Sequence, residues 1–214
     1  MKRSGSFCRQ NRLPVGAKFL LASSNKGKLA EFRALAKGSA FPVELELFPN
    51  FEPIPVFEES APTFAENSLG KALHYSRHAE ALVLADDSGL VVPSLNGRPG
   101  VHSARYAGEN ATSAQRIEKL LSEMKVKHGT ERAAHFVCIL SVVRQNRTLA
   151  VVTARADGEI LETQRGAGGF GYDPIFYFAP LQKTFAELTP EEKNLHSHRG
   201  KAFRRLMTVL ADML

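Results

Sequence analysis

The stretch KFLLASSNKGKLAEFRALAKG, residues 18–38, decides the architecture. Residues 18–22 read as a strand. The polar run Ser23-Ser24-Asn25-Lys26-Gly27-Lys28 follows, then a helix to about Lys37, with Gly38 where a C-terminal cap belongs. Strand, polar turn and helix in that order aim backbone N–H groups and the positive end of a helix dipole at one spot. Ser23, Ser24, Asn25, Lys26, Gly27 and Lys28 are therefore candidates to hold an anion such as phosphate. The bland alternative is an ordinary polar N-cap with surface lysines. This is not a Walker P-loop, because Gly-x4-Gly-Lys-Ser/Thr is absent.

Working outward, Val43–Leu47 reads as a second strand and residues 50–62, rich in Pro and Glu, as a loop. Thr63-Phe64-Ala65-Glu66 has capping-box spacing, so a helix starts there. Leu69, Ala72, Leu73 and Ser76 share one of its faces; Asn67, Lys71 and His74 fall roughly opposite. Residues 82–85 predict a short buried strand ending at Asp86-Asp87-Ser88-Gly89, with 90–92 extended. A second capping box at residues 112–115 opens a helix whose core face is Ile117, Leu120, Leu121 and Met124. Residues 134–143 and 148–156 predict paired strands around a turn at 144–147. Thr189-Pro190-Glu191-Glu192 starts a short helix, and the last helix, beginning near Gly200, carries the stripe Phe203, Leu206, Met207, Leu210 and Leu214. Paired strands with flanking helices predict an α/β or α+β fold on a mixed sheet.

Composition narrows the function classes. At 214 residues the chain has room for one domain or a two-lobed one. Its 43% hydrophobic and 23% charged residues are those of a globular protein. No apolar run reaches the roughly 18 residues that span a bilayer; residues 136–143, the longest candidate, are strand-sized. No membrane partner is expected. Cys8 and Cys138 form no Cys-x-x-Cys pair, which argues against zinc and for a reducing cytoplasm. The net charge of +6 suits nucleic acid or an anionic small molecule such as a triphosphate. Residues 1–17 hold Lys2, Arg3, Arg9 and Arg12 without an acid, and are expected to be a disordered leader before a domain at 18–214.

Four further groups could carry chemistry. Glu58-Glu59 lies in a loop and Asp86-Asp87 follows an apolar strand; carboxylates at a strand's end can sit in a cleft, where hard oxygens suit Mg²⁺. The alternative is a set of turn acids. In the loop 166–171 and its sequel to Asp173, glycines permit close backbone approach, and Phe170 and Tyr172 could stack on a base. The alternative there is a flexible hairpin. Lys193 and Ser197-His198-Arg199 suit phosphate and a bidentate acceptor, or else form a basic solvated loop. His74 and His78 lie four apart on a helix, where a solvated face is the better reading.

Taken together, LASSNKGK (21–28), TFAEN (63–67) with Lys71, ADDSGL (85–90), PGVHSARY (99–106), GGFGYDPIF (168–176) and AELTPEEK (186–193) with Ser197-His198-Arg199 resemble the inosine triphosphate pyrophosphatase family. The motifs fall in the family's order over residues 18–214; each is weak alone, and six in order are specific. The resemblance implies two lobes around a long mixed sheet flanked by helices, a substrate cleft between the lobes, and a homodimer. It implies Mg²⁺-dependent hydrolysis of deaminated purine nucleoside triphosphates, such as dITP and XTP, to the monophosphate and pyrophosphate. It also implies roles. Asp87 would be general base and metal ligand, and Glu58 the second metal acid, the doublet leaving its register open. Ser23, Asn25, Lys28 and Lys71 would grip the triphosphate, and Ser88 would touch substrate. Phe170, Gly171, Tyr172, Asp173, Lys193, His198 and Arg199 would bind the nucleotide, with Phe170 stacked on the base and Arg199 among donors facing the purine 6-carbonyl. The rival readings are a Maf-like pyrophosphatase acting on pyrimidine or modified nucleotides and, from a different class, a nucleic-acid-binding module. The GGFGYD and SHR segments speak against the first. Against the second, the basic residues beyond the leader are spread among acids.

Overall fold

A computed structural model describes residues 17–39, 42–49 and 54–213. The expected leader lies outside these residues apart from Ala17, which opens the first strand. Strand β1 (Ala17–Leu21) leads into α1 (Lys26–Lys37), then β2 (Val43–Leu47), α2 (Phe64–Ser76) and β3 (Leu82–Val91). β1 pairs in parallel with both β2 and β3, so α1 and α2 are crossover helices. Then follow α3 (Ser113–Glu123), β4 (Ala133–Arg144), β5 (Arg147–Ile160), β6 (Phe176–Phe178), β7 (Lys183–Thr184), α4 (Pro190–His196) and α5 (His198–Ala211). All lie on one seven-stranded sheet of order β2-β1-β3-β4-β5-β6-β7, antiparallel from β3 onward. The sheet is mixed and flanked by helices, as expected.

Strand alternation sorts the core. Phe19, Leu21, Leu82 and Leu84 face Phe32 of α1 and Phe203, Leu206 and Leu210 of α5. Leu20, Ala22, Val83 and Ala85 face Ala72 and Tyr75 of α2. A third cluster gathers Leu90, Ile117, Leu120, Met124, Phe136, Ile160, Phe176 and Phe185 around the far half of β4 and β5. Each fully buried leucine or phenylalanine contributes about 1.5–3 kcal/mol of transfer free energy.

Three expectations need correction. The Asp86-Asp87-Ser88-Gly89 segment does not end a strand. It lies inside β3, because its backbone continues the ladder to Leu140, Ile139, Cys138 and Val137 of β4; pairing overrides the low strand propensity of Asp and Gly. In α2 the buried face carries Asn67, Ser68, Lys71, Ala72 and Tyr75, while Leu69 and Leu73 are only half-buried. The reason is polar satisfaction: Ser68 Oγ donates toward Ser141 Oγ at 2.9 Å and contacts the Ala85 and Ile139 carbonyls. Finally, α5 starts at His198, two residues ahead of Gly200. Ser197 is its N-cap, accepting from Gly200 N at 3.1 Å, and His198 and Arg199 are a buried first turn rather than a solvated loop.

Candidate active site

A cleft of about 620 Å³ opens over β3. Its floor holds Asp87 and Ser88, neighbours in the strand, which therefore point to opposite faces. The β1–α1 turn forms one wall. There Asn25 caps α1, its Oδ1 accepting from Lys28 N at 3.1 Å, and Asn25 N donates to Ser23 Oγ at 3.2 Å. Ser23, Ser24, Asn25, Gly27 and Lys28 line the cleft; Lys26 is exposed and does not. It is the first residue of α1 and its side chain leaves on the solvent side.

On the α2 side, Lys71 is buried and its Nζ bonds the Glu59 carboxylate and, at 2.8 Å, the Asp86 carbonyl. Glu59 lines the cleft, whereas Glu58 is exposed and outside it. The acid facing the cleft is thus the second of the doublet. Adjacent residues of an extended loop point opposite ways, and Lys71 selects Glu59.

The α5 side carries a buried ion network. Arg199 donates from Nε to Asp86 Oδ2 at 3.0 Å, from one terminal nitrogen to Glu31 at 2.5 Å, and from the other to Ser88 Oγ at 2.8 Å. Three of its five N–H groups are engaged in this way. Lys193 bridges Glu31 at 2.7 Å and Asp173 at 2.6 Å. Lys28 closes the network on Asp86. Phe170 sits at the edge of this cluster, its ring 4.9 Å from Lys193 Nζ and 5.6 Å from the Arg199 guanidinium carbon. A side chain at Gly27 would meet that ring at 3.1 Å, so glycine there lets the β1–α1 turn and the aromatic approach each other. Gly171, at φ +64°, also lines the cleft. Tyr172 is different: its ring is packed into the distal core and its hydroxyl donates to the Ser103 carbonyl at 3.0 Å, so it is not free to stack.

These surroundings separate the acids. Burial alone would raise Asp86, but the charges of Arg199 and Lys28 and their hydrogen bonds hold it well below the usual carboxylate range. Glu31 is likewise lowered by Arg199 and Lys193 against the effect of burial. Asp87 goes the other way. Burial first, then the charge of Glu59, push it up to about 6. Its Oδ2 is buried and has no partner in the protein. Asp173 is raised by burial, with Lys193 opposing. His198 is held well below its ordinary value by burial and by Arg199; its Nδ1 is buried without a partner and its ring stacks on Phe136 at 4.7 Å. The arrangement therefore supplies one ionisable carboxylate with a vacant oxygen, cations on both sides of it, and a neutral imidazole.

Asp86, singled out with Asp87 as a candidate cleft acid, anchors Lys28 and Arg199. Other residues to which the motifs assign no role also belong to this site. Glu31 lies three positions after Lys28 on α1, a spacing that places both on one side of the helix. Arg105 and Arg116 line the remaining wall, Arg105 as part of the PGVHSARY segment. Among the described residues no three His, Cys, Asp or Glu side chains cluster as a metal cage, and no helix is long and apolar enough to cross a membrane.

Comparison with known proteins bears on the family and the fold. The profile of the Ham1 family matches residues 19–209. The chain belongs to the Ham1 family. It is 50% identical over 187 residues to the dITP/XTP pyrophosphatase of Geobacillus kaustophilus, covering 87% of this chain and 91% of that protein. The dITP/XTP pyrophosphatase of Coxiella burnetii is 43% identical over 196 residues, covering 90% and 96%. Among solved structures, a HAM1 protein from Coxiella burnetii superposes with a TM-score of 0.81 at 41% identity, covering 92% of this chain and 99% of that one. The Staphylococcus aureus Ham1 protein gives 0.80 at 38% identity, with 92% and 100% covered. The names dITP/XTP pyrophosphatase and Ham1 carry the class of protein that the sequence motifs resembled.

Proposed function

We propose that this chain is a nucleoside triphosphate pyrophosphatase that hydrolyses deaminated purine nucleotides, dITP, ITP and XTP, to the monophosphate and pyrophosphate. The observation that carries the reading is Asp87: a buried carboxylate with a raised pKa and an unpartnered oxygen, between Lys28 and Lys71, in a nucleotide-sized cleft. The names of the relatives support the substrate class, and none of them supports a Maf-like activity. Lys28, Lys71 and Arg199 of the cleft pair with Asp86 and Glu59, unlike the solvated basic stripe that binds nucleic acid.

The donor set fits Mg²⁺, which takes few protein carboxylates and completes its shell with phosphate oxygens and water. Asp87, through its vacant oxygen, and Glu59 would hold it. Bound there, the cation supplies charge neutralisation on the phosphates and acidifies water. The chain's own residues do the rest. Ser23, Asn25 and the start of α1 present donors to phosphate oxygens. Lys28 and Lys71 offset charge on the departing pyrophosphate. Asp87 takes a proton from the attacking water as the α–β phosphoanhydride breaks; a base near pKa 6 is ionised yet still basic at neutral pH. Phe170 offers its ring to the purine. His198 and the two remaining Arg199 donors, both residues lining the cleft, would read the 6-position, where hypoxanthine and xanthine present a carbonyl and adenine an amino group. A site built of donors rejects adenine because its groups go unpaired. A homodimer in the cytoplasm is part of the same reading, carried by the family resemblance. Incubating the protein with ITP, dITP, XTP, ATP and GTP, with and without Mg²⁺, tests it: pyrophosphate from ATP as fast as from ITP would contradict the substrate assignment.

A further inference from the structure

We propose that Arg105 is a positioning residue for Glu59, fastening the acid's backbone from the opposite wall of the cleft. The inference rests on the reading of Glu59 and Asp87 as the cation-binding acids. Glu59 belongs to the segment 54–63 ahead of α2, whose residues form no β-ladder. Several of its fastenings come from α2. Tyr75 Oη accepts from Phe57 N at 3.4 Å, Asn67 brackets Ala61 through both N and O at 2.9 and 3.3 Å, and Lys71 holds the Glu59 carboxylate. Arg105 donates to the Glu59 carbonyl at 2.7 Å from the other side.

The anchor itself is fixed. Arg105 ends the 3-10 turn Gly100–Arg105 that follows β3. Arg116 donates to the Ala104 carbonyl at 2.5 Å, Tyr172 Oη to the Ser103 carbonyl at 3.0 Å, and Ser103 Oγ to the Gly100 carbonyl at 2.6 Å while accepting from Leu90 N at 2.9 Å. The same turn thus holds the main chain of the very residue whose carboxylate, paired with Lys71 through one oxygen, would meet a cation. With the carbonyl pinned, the carboxylate is aimed by rotation of side-chain bonds alone. Without it, the loop must be ordered at the moment of binding, and the ordering cost appears as weaker metal affinity.

The test uses the full chain and Arg105→Met, which keeps the stem and removes the donors. Three measurements are made: hydrogen exchange of residues 57–62 without metal, Mn²⁺ binding without nucleotide, and the Mg²⁺ dependence of pyrophosphate release from ITP. The variant is expected to exchange the Ser60 and Ala61 amides faster and to bind Mn²⁺ about tenfold more weakly, the scale of one charge-assisted hydrogen bond. The Mg²⁺ concentration for half-maximal rate rises by the same factor, and the loss is recovered at high Mg²⁺. Arg105→Lys, which retains a donor, recovers Mn²⁺ affinity to within about threefold. Unchanged exchange and metal affinity, with a raised KM for ITP, would make Arg105 a direct substrate ligand and overturn the proposal. If the wild type released no pyrophosphate, the enzymatic reading would fall, while exchange and Mn²⁺ binding would still decide the role of Arg105.

Discussion

Replacing Asp87 by Asn should abolish turnover and stabilise the metal-free fold at once. In the native state Asp87 titrates at about 6, against an ordinary value of 3.8, because burial and the nearby Glu59 charge oppose ionisation. A native carboxyl with a raised pKa holds its proton more tightly than the unfolded chain does. Its protonation therefore stabilises the fold below about pH 4, and that stability is lost as pH rises through about 6. The difference of about two pKa units corresponds to about 3 kcal/mol at pH 8. Asn removes the charge but leaves a buried amide in place of the unpartnered Oδ2, which returns about 1–2 kcal/mol of the gain. The expected net stabilisation is about 1–2 kcal/mol at pH 8, and near pH 4, where the native carboxyl is already neutral, the variant is less stable than wild type by roughly 1 kcal/mol. Urea denaturation of wild type and variant in EDTA at both pH values measures it. Added Mg²⁺ should narrow the gap by stabilising only the wild type. A variant less stable than wild type at pH 8, or equally displaced at both pH values, would refute the claim that Asp87 is held at an energetic cost.

The other predictions concern the walls. Lys28→Met should lower kcat/KM for ITP at least about 100-fold and cost about 2 kcal/mol of stability, since Asp86 keeps Arg199 but loses one buried partner; kinetics and urea titration together check both. Glu59→Gln should raise the Mg²⁺ requirement, whereas Glu58→Gln, whose side chain is exposed, should leave it unchanged. Phe170→Ala should raise KM for ITP about tenfold or more, the scale of one base–aromatic stack, with the melting temperature nearly unmoved. Gly89→Ala should destabilise by more than about 2 kcal/mol, because the added carbon would meet the Gly100 carbonyl and Ser103 Oγ at 2.5 Å.

Much of this fold could be read from local signals. The residue 18–38 stretch placed β1, the phosphate-type turn and α1, since apolar alternation and an Asn cap act over a few residues. The Gln145-Asn146 hairpin and the Thr112 and Thr189 caps are also local, and the structure has each of them. What escaped was set by partners distant in the chain. Nothing near Asp86 announces that β4 will carry β3 straight through the acidic pair. The choice of Glu59 over Glu58 is made by Lys71, twelve residues on. The burial of Arg199 depends on Glu31 and Asp86, more than a hundred residues away. Ion networks of that kind have no periodicity: local motifs single out Lys28, Asp86, Lys193 and Arg199, but not their pairing with one another or with Glu31.

The most direct measurement is the product stoichiometry and rate for ITP, XTP, ATP and GTP at saturating Mg²⁺, with pyrophosphate and orthophosphate assayed separately and Asp87→Asn as control. The account predicts one pyrophosphate and one monophosphate per ITP or XTP consumed, ATP slower by roughly 100-fold or more, and no turnover by the variant. Orthophosphate as the first product, comparable rates with ATP, or undiminished activity in Asp87→Asn would contradict it.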